Sequence, residues 1–173
     1  MTNFTGFNEA QIDILTADME AARQIAAAST RIRPETSTLL NEAFGIDAAA
    51  PDPNQVSQVR SVYAGFAGRM AMTTLVFYPG IGDAYDPEFD SFPDRTRPNT
   101  ILVRTSYFFK APLDRALTLL HHYVHLRFPR NPGGGHPGGS VPAFARGSMR
   151  IGFDDASRNP YCYEYFARFQ RLI

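Results

Sequence analysis

The sequence contains one cysteine, one lysine and no excess of either charge. Because Cys162 has no possible partner within the chain, an internal disulfide framework is excluded and folding does not require an oxidising compartment. Seventeen basic residues balance seventeen acidic ones, so the chain lacks the overall basic field that attracts nucleic acid. We therefore expect no nucleic-acid partner.

Long apolar runs and an N-terminal signal sequence are also missing. No apolar stretch approaches the roughly 20 residues that span a bilayer, and Met1–Gly6 lacks a basic segment followed by an apolar one. We expect no membrane partner, and a protein located in the cytoplasm or exported without a cleavable signal peptide. The chain has 173 residues, of which 44% are apolar, and residues 1–173 are predicted to form one globular domain.

Apolar residues at helical spacing dominate the first 70 residues. Asn8, with a glutamine three residues later, is an N-cap signature that opens a long amphipathic helix. Pro34 can start a second helix that stops at Gly45, and Asp52 caps a third that is predicted to continue to Met70. This part of the chain is predicted to be a helical scaffold.

β-Branched and aromatic residues then predict two short strands. These strands are Thr73–Tyr78 and Thr100–Val103, and the aromatic segment Ser106–Lys110 is predicted to extend the second. The stretch between them, Pro79–Pro98, is rich in glycine, proline and aspartate and is predicted to be a long loop. So few strands predict a small sheet, in the simplest case a hairpin, within an α+β, mostly helical fold.

Two further helices flank a glycine-rich loop. One is predicted from Pro112 to about Leu126, and the other follows the cap Asn159-Pro160. The segment 131–139 between them has few side chains that can build a core, so it is predicted to be a loop. The apolar face of the last helix is predicted to contain Cys162, Tyr165 or Phe166, Phe169 and Leu172. We expect these two helices to pack together and to form a cleft.

All four histidines lie within sixteen consecutive residues. His121 and His125 are four residues apart on a predicted helix, so both imidazoles project from one face and can bind one Zn²⁺ ion. His136, in the glycine-rich loop, is a candidate third ligand. Paired histidines at this spacing also occur on helices that bind no metal, and His136 is equally consistent with a solvated loop residue. His122 lies about 100° around the helix from His121, which favours a supporting or surface role.

Several motifs resemble those of a known protease family. Leu120–His125 has the form of the zinc-protease helix motif His-Glu-x-x-His, with His122 in the place of the glutamate. Ala156–Ala167 resembles the final helix of the deuterolysin and peptidyl-Lys metalloendopeptidase family, the aspzincins, which is approximately Ala-x-x-Asn-Ala-Asp-x-Tyr-x-Tyr-Phe-Ala. Leu39–Gly45 resembles the family's aromatic-Phe-Gly segment, and Ile101–Pro112 resembles the strand before its zinc helix. The resemblance therefore spans most of the chain.

This resemblance implies a zincin-like metalloprotease fold, a bound Zn²⁺ ion and a protein or peptide substrate. It implies that His121 and His125 bind zinc and that His122 stands where the family has the glutamate that acts as general base. A neutral histidine can accept a proton, but it does not supply the negative charge of a carboxylate near zinc. His122 is therefore the candidate catalytic residue, and we expect peptide hydrolysis to be weak or absent.

The third ligand also departs from the family pattern. The family uses an aspartate in a Gly-Thr-x-Asp-x-x-Tyr-Gly segment, whereas the matching stretch here, Gly138–Phe144, has no acidic residue. His136 lies just before this stretch and is the natural substitute, with Asp154 and Asp155 as later candidates. Tyr163 is a further candidate site residue.

Three functions are consistent with these residues. The leading hypothesis is a zinc metalloendopeptidase-like domain that hydrolyses peptide bonds weakly or not at all. The alternative is a catalytically inactive protein-binding module, which would use the cleft or the aromatic side chains of the last helix. Those aromatic residues are Tyr161, Tyr163, Tyr165 and Phe166. A bacterial effector or toxin domain on the same scaffold is a third hypothesis. Cys162, on the apolar stripe, is predicted to be a buried structural residue and not a nucleophile.

Overall fold

The computed structural model describes residues 2–79, 91–94, 96–128 and 152–171. In chain order, the strands and helices are β1 (Asn3–Thr5), α1 (Glu9–Ser29), α2 (Ser37–Phe44), α3 (Pro53–Ala64), α4 (Phe66–Met70), β2 (Thr74–Phe77), β3 (Ser91–Pro93), β4 (Thr100–Val103), α5 (Pro112–Arg127), α6 (Phe153–Ala156) and α7 (Pro160–Gln170). Short 3₁₀ helices occupy Pro34–Thr36 and Thr105–Phe109. Among these helices, none is both long and apolar enough to cross a membrane. The predicted α+β, mostly helical fold class is confirmed.

The four strands form one sheet in the order β1-β2-β4-β3. β1, β2 and β4 are mutually parallel, and β3 pairs with β4 in the antiparallel direction. In this register Phe4 lies beside Leu75, which lies beside Ile101. The sheet is larger than the predicted hairpin because it also contains β1 and β3. These two strands have only three residues each, and the sequence did not predict them. β3 lies within the predicted loop Pro79–Pro98, of which residues 80–90 and 95 lie outside the described residues.

Local capping groups set the ends of the helices. The backbone N–H of Gln11 donates to Asn8 Oδ1 at 2.9 Å, and the backbone N–H of Asn8 donates to Gln11 Oε1 at 3.1 Å, which completes a capping box at the start of α1. Asp52 Oδ1 accepts a hydrogen bond from the backbone N–H of Asn54 at 2.8 Å at the start of α3. Gly45 ends α2 with a φ of 68°, which glycine adopts at low cost. These three predicted helix ends are confirmed.

Two predicted elements differ in the structure. The third predicted helix does not continue unbroken to Met70, because it breaks at Gly65 into α3 and α4. Ser106–Lys110 does not extend β4, because Thr105–Phe109 forms a 3₁₀ helix that buries Tyr107 completely. Aromatic residues favour strands when they are taken singly, but here the burial of one tyrosine in the core favours a turn.

A buried ion pair joins α1 to α5. Asp18 is 2% exposed and accepts a hydrogen bond from Arg115 Nε at 2.7 Å. The Tyr107 hydroxyl donates to the same carboxylate oxygen at 3.1 Å, and Arg115 Nη1 donates to the backbone carbonyl oxygen of Lys110 at 2.7 Å. Because each buried polar group has a partner, this network fixes α5 near its N-terminal end.

The C-terminal half of α5 is fixed against the break between α3 and α4. Tyr123 is fully buried, and its hydroxyl donates to the backbone carbonyl oxygen of Val62. A Cβ atom on Gly65 would lie 2.7 Å from the Tyr123 hydroxyl oxygen, so this close approach requires glycine. Arg69 Nη2 donates to the carbonyl oxygen of Leu126 at 3.0 Å and satisfies one of the last carbonyl groups of the helix. These contacts set the rotation of α5 about its axis.

α7 packs against α5 and α2, which confirms the predicted packing of the two C-terminal helices. Asn159 caps α7 by accepting a hydrogen bond from the backbone N–H of Tyr161 at 3.0 Å. Tyr163 is fully buried, and its hydroxyl donates to the backbone carbonyl oxygen of Ser157 at 2.8 Å. The Tyr63 hydroxyl in turn donates to the backbone carbonyl oxygen of Tyr163 at 2.7 Å. The helix is therefore held to the core through hydroxyl-to-backbone bonds.

The buried face of α7 differs in part from the predicted one. Its buried residues are Pro160, Cys162, Tyr163, Phe166 and Ala167. Cys162 and Phe166 are buried as predicted, whereas Phe169 is 38% exposed and lies outside the buried face. Leu172 lies outside the described residues.

Candidate metal centre

Three histidines of α5 form a compact cluster beside α7. One nitrogen from each of His121, His122 and His125 can serve as a ligand, and these three atoms all lie within 4.8 Å of one another. His121 and His122 are buried and His125 is half-buried. The ring centroids of His121 and His125 are 5.0 Å apart, as expected for side chains one helical turn apart. The surface position considered for His122 is wrong, since its side chain lies inside the protein beside the other two.

The donor set fits a zinc ion. A tetrahedral zinc with Zn–N bonds of about 2.0–2.1 Å separates two ligand nitrogens by about 3.3 Å. The three histidine nitrogens lie within 4.8 Å of one another, which is close enough for one ion to contact all three after the side chains adjust. Neutral imidazole is a preferred ligand of zinc and other late first-row metals, whereas magnesium and calcium prefer oxygen ligands. The chemistry of the cluster therefore favours Zn²⁺ over the common hard cations.

Glu164 of α7 contacts the cluster from the facing helix. Its Oε2 atom lies 3.3 Å from Nδ1 of His121, which leaves Nε2 of His121 as the nitrogen that can bind a metal. Arg168 Nη2 lies 3.4 Å from Glu164 Oε1 and 2.8 Å from Asp114 Oδ1. Burial alone would raise the pKa of Glu164, but the hydrogen bond with His121 and the charges of His121 and Arg168 outweigh it and lower that pKa. Glu164 is therefore an ionised group that orients His121.

Sequence patterns alone do not mark Glu164 as a site residue. It meets His121 only through the packing of α7 against α5, and no local motif marks that contact. The signal that is present in the sequence is the spacing of Glu164 and Arg168, which are four residues apart on one helix and form a pair. That pattern is common on exposed helix faces and does not by itself indicate a metal centre.

Tyr161 of α7 packs against His121, one of the three histidines of the cluster. Its ring packs against that of His121 with centroids 4.6 Å apart and planes at 75°. Tyr161 and Glu164 are three residues apart on α7, so one face of this helix presents both a ring and a carboxylate to His121. Cys162, in contrast, is 1% exposed, and burial raises the pKa of its thiol to about 12. The predicted structural role of Cys162 is confirmed, because a buried thiol that stays protonated is a poor nucleophile.

Three predicted site residues that the structure describes, Asp154, Asp155 and Tyr163, lie outside this cluster. Asp154 and Asp155 are exposed on α6, where Asp155 pairs with Arg158 at 3.1 Å. Within the described residues, the group that can hold a metal contains the three histidines of α5 and neither of these aspartates. Tyr163 lies in the core, where its hydroxyl is used for packing. His136 lies outside the described residues.

Replacing Glu164 with Gln is expected to weaken zinc binding by about 10–100-fold, the usual cost of losing a group that orients a metal ligand. Glutamine keeps the length of the side chain but removes the charge that favours a proton on His121 Nδ1. The zinc dissociation constant can be measured by competition with a chromophoric chelator. Glu42→Gln is a matched control, because Glu42 is exposed and its carboxylate contacts Tyr165. Equal affinities for wild type and Glu164→Gln would contradict the orienting role.

A comparison of structures relates the fold that holds this site to that of a known protein. No protein-family model matches the sequence, and no curated protein matches it either. A solved zinc peptidase from Grifola frondosa has a similar structure, with a TM-score of 0.69 over 95% of this chain and 98% of that chain at 18% sequence identity. The chain has a zinc peptidase fold.

This zinc peptidase fold is the one that the sequence motifs predicted. The resemblance to the aspzincins and the zincin-like fold class are confirmed at the level of the fold. The three histidines of α5 fit an altered His-Glu-x-x-His motif in which His122 occupies the second position. At 18% sequence identity, this likeness shows a shared fold, whereas activity depends on the residues of the site.

Proposed function

We propose that this chain binds one Zn²⁺ ion through His121 and His125 and is a metallopeptidase-like protein that engages peptide chains with weak or no hydrolysis. The observation that carries the proposal is the histidine cluster of α5 within a zinc peptidase fold. Glu164 supports the ligand set by orienting His121, and Tyr161 packs on the same imidazole. When bound, zinc supplies Lewis-acid polarisation of a peptide carbonyl group.

The expected weakness of hydrolysis follows from the proton acceptors near the cluster. His122 stands where the motif requires a glutamate, and imidazole brings no negative charge to that position. Glu164 is the carboxylate that contacts the cluster within the described residues, and it is already held by His121 and Arg168. Binding of zinc and of a peptide is therefore better supported than efficient cleavage.

The metal content of the purified protein tests the first part of this proposal, that the chain binds one zinc ion. Elemental analysis of protein purified without chelator or nickel affinity resin is expected to find about one zinc per chain, because a folded set of imidazole ligands retains the ion. The variant His121→Ala/His125→Ala is expected to lose it. A wild-type protein without zinc, or a double variant that retains it, would contradict the proposal.

A variant that restores the glutamate of the His-Glu-x-x-His motif tests the second part of the proposal, that hydrolysis is weak or absent. The variant His122→Glu is expected to raise cleavage of casein or of a peptide library by about 100-fold or more at saturating zinc, since a positioned general base typically contributes 10²–10⁴-fold. His122→Gln is the matched control, because it has a similar length and offers no base. Continued inactivity of zinc-loaded His122→Glu would mean that the missing carboxylate is not the sole reason for low activity.

The alternative function is a catalytically inactive module that binds a protein or peptide. The replacement of the base position by His122 is the observation that favours it. Zinc-loaded wild type that cleaves neither casein nor a peptide library, and that gains no cleavage from His122→Glu, would favour this alternative over a weak peptidase.

A further inference from the structure

We propose that His122 is the third metal ligand, so that α5 alone supplies His121, His122 and His125 to one ion. This inference rests on the proposed zinc binding and gives the site its full protein ligand set. It differs from a site that recruits a third ligand from another segment, such as His136. It gives His122 a ligand role at the sequence position where the motif has its glutamate.

The position of His122 carries this inference. Its ligand nitrogen belongs to the same group of three atoms that lie within 4.8 Å of one another, so the three nitrogens form a triangle against which one ion can lie. The ring of His122 is 5.3 Å from that of His121 and 6.0 Å from that of His125, measured between centroids. His122 is 4% exposed, so its imidazole faces the other two histidines and the protein interior more than solvent.

The packing of α5 keeps His122 in this position. Tyr123, the next residue, donates its hydroxyl hydrogen to the carbonyl oxygen of Val62, and Gly65 allows that approach. Arg69 binds the carbonyl oxygen of Leu126 one turn further on. Because α5 cannot rotate about its axis without breaking these contacts, the direction of His122 is fixed by the fold.

The chemistry of the ligand set is consistent with a functional centre. Catalytic zinc sites with three histidine ligands and an open fourth position are known among proteins in general. Three neutral imidazoles leave the double charge of the ion uncompensated, and Glu164, at 3.3 Å from His121, is the described carboxylate that offsets it. With His122 as the third ligand, metal binding does not require the acidic residue that the sequence lacks at Gly138–Phe144.

Two substitutions separate the candidate third ligands. His122→Phe keeps an aromatic ring in a buried position and removes both metal-binding nitrogens, and His136→Ala removes the competing histidine. Zinc affinity is measured by chelator competition on the full chain, and the coordination is followed by the visible absorption spectrum of the Co²⁺-substituted protein. Melting of the zinc-free proteins shows whether each variant folds, and His122→Gln is a second variant in case Phe disturbs the packing.

We expect His122→Phe and His122→Gln to weaken zinc binding by about 100-fold or more, since even the loss of an orienting partner costs about 10–100-fold. Both are also expected to change the Co²⁺ spectrum, while His136→Ala changes neither quantity. Unchanged affinity in the folded His122 variants overturns the inference, and a loss in His136→Ala alone identifies His136 as the ligand. Failure of wild type to bind zinc is a different result, because it overturns the proposed function itself.

Discussion

Zinc at about a thousand times its dissociation constant is expected to raise the melting temperature of the wild-type chain by about 8–16 °C. A ligand at that excess stabilises the native state by about 4 kcal/mol, and each kcal/mol shifts the melting temperature of a domain of this size by about 2–4 °C. The effect requires binding to the native state alone. His121 and His125 meet that condition because the helix and its contact with Glu164 of α7 assemble only on folding.

The comparison that decides this prediction is the melting of His121→Ala/His125→Ala with and without zinc. We expect no shift in this variant, and none in wild type when magnesium replaces zinc, because magnesium prefers oxygen ligands. Differential scanning calorimetry on zinc-free protein gives both measurements. A shift of the same size in the double variant would place the stabilising ion elsewhere in the chain.

Asp18→Ala is expected to lower the free energy of unfolding by about 3–5 kcal/mol, the usual cost of removing one partner of a buried ion pair. The carboxylate is almost completely buried and binds Arg115 at 2.7 Å and the Tyr107 hydroxyl at 3.1 Å. Its removal leaves Arg115, whose side chain is only 13% exposed, without its counter-charge. Denaturant unfolding of zinc-free wild type and variant measures the difference.

Glu20→Ala is the matched control for Asp18→Ala, since it breaks an ion pair on the same helix. The Glu20–Arg23 pair is exposed to solvent, and such pairs contribute little to stability. Asp18→Leu combined with Arg115→Met removes both charges, and we expect this variant to recover most of the loss. If Asp18→Ala proves as mild as Glu20→Ala, the buried pair does not hold α1 and α5 together.

The elements that the sequence predicted correctly are those with local signals. Asn8, Gly45 and Asp52 act within three or four residues of their own position in the chain, so their effect is visible without knowledge of the fold. The pair His121 and His125 is of the same kind, because a helix converts a spacing of four residues into one shared face. Interactions between residues that are close in the sequence were therefore enough to predict most helices and the pair of histidines at the centre of the candidate site.

The features that the sequence did not predict depend on contacts between distant segments. β1 and β3 are three residues long and exist because parallel and antiparallel neighbours pair with them. Glu164 reaches His121 only after α7 has packed on α5. The burial of His122 depends on the rotation of α5, which Tyr123 sets by binding the end of α3. None of these contacts leaves a periodic pattern in the sequence.

The order of the sheet has a consequence for synthesis on the ribosome. β1 leaves the ribosome before its partner β2, which is encoded about 70 residues later, and at 5–20 residues per second the ribosome needs about 4–14 s to reach β2. During that interval α1 can form from local contacts alone, while β1 has no partner strand. β1 can therefore join the sheet only after the helical segment between it and β2 has emerged.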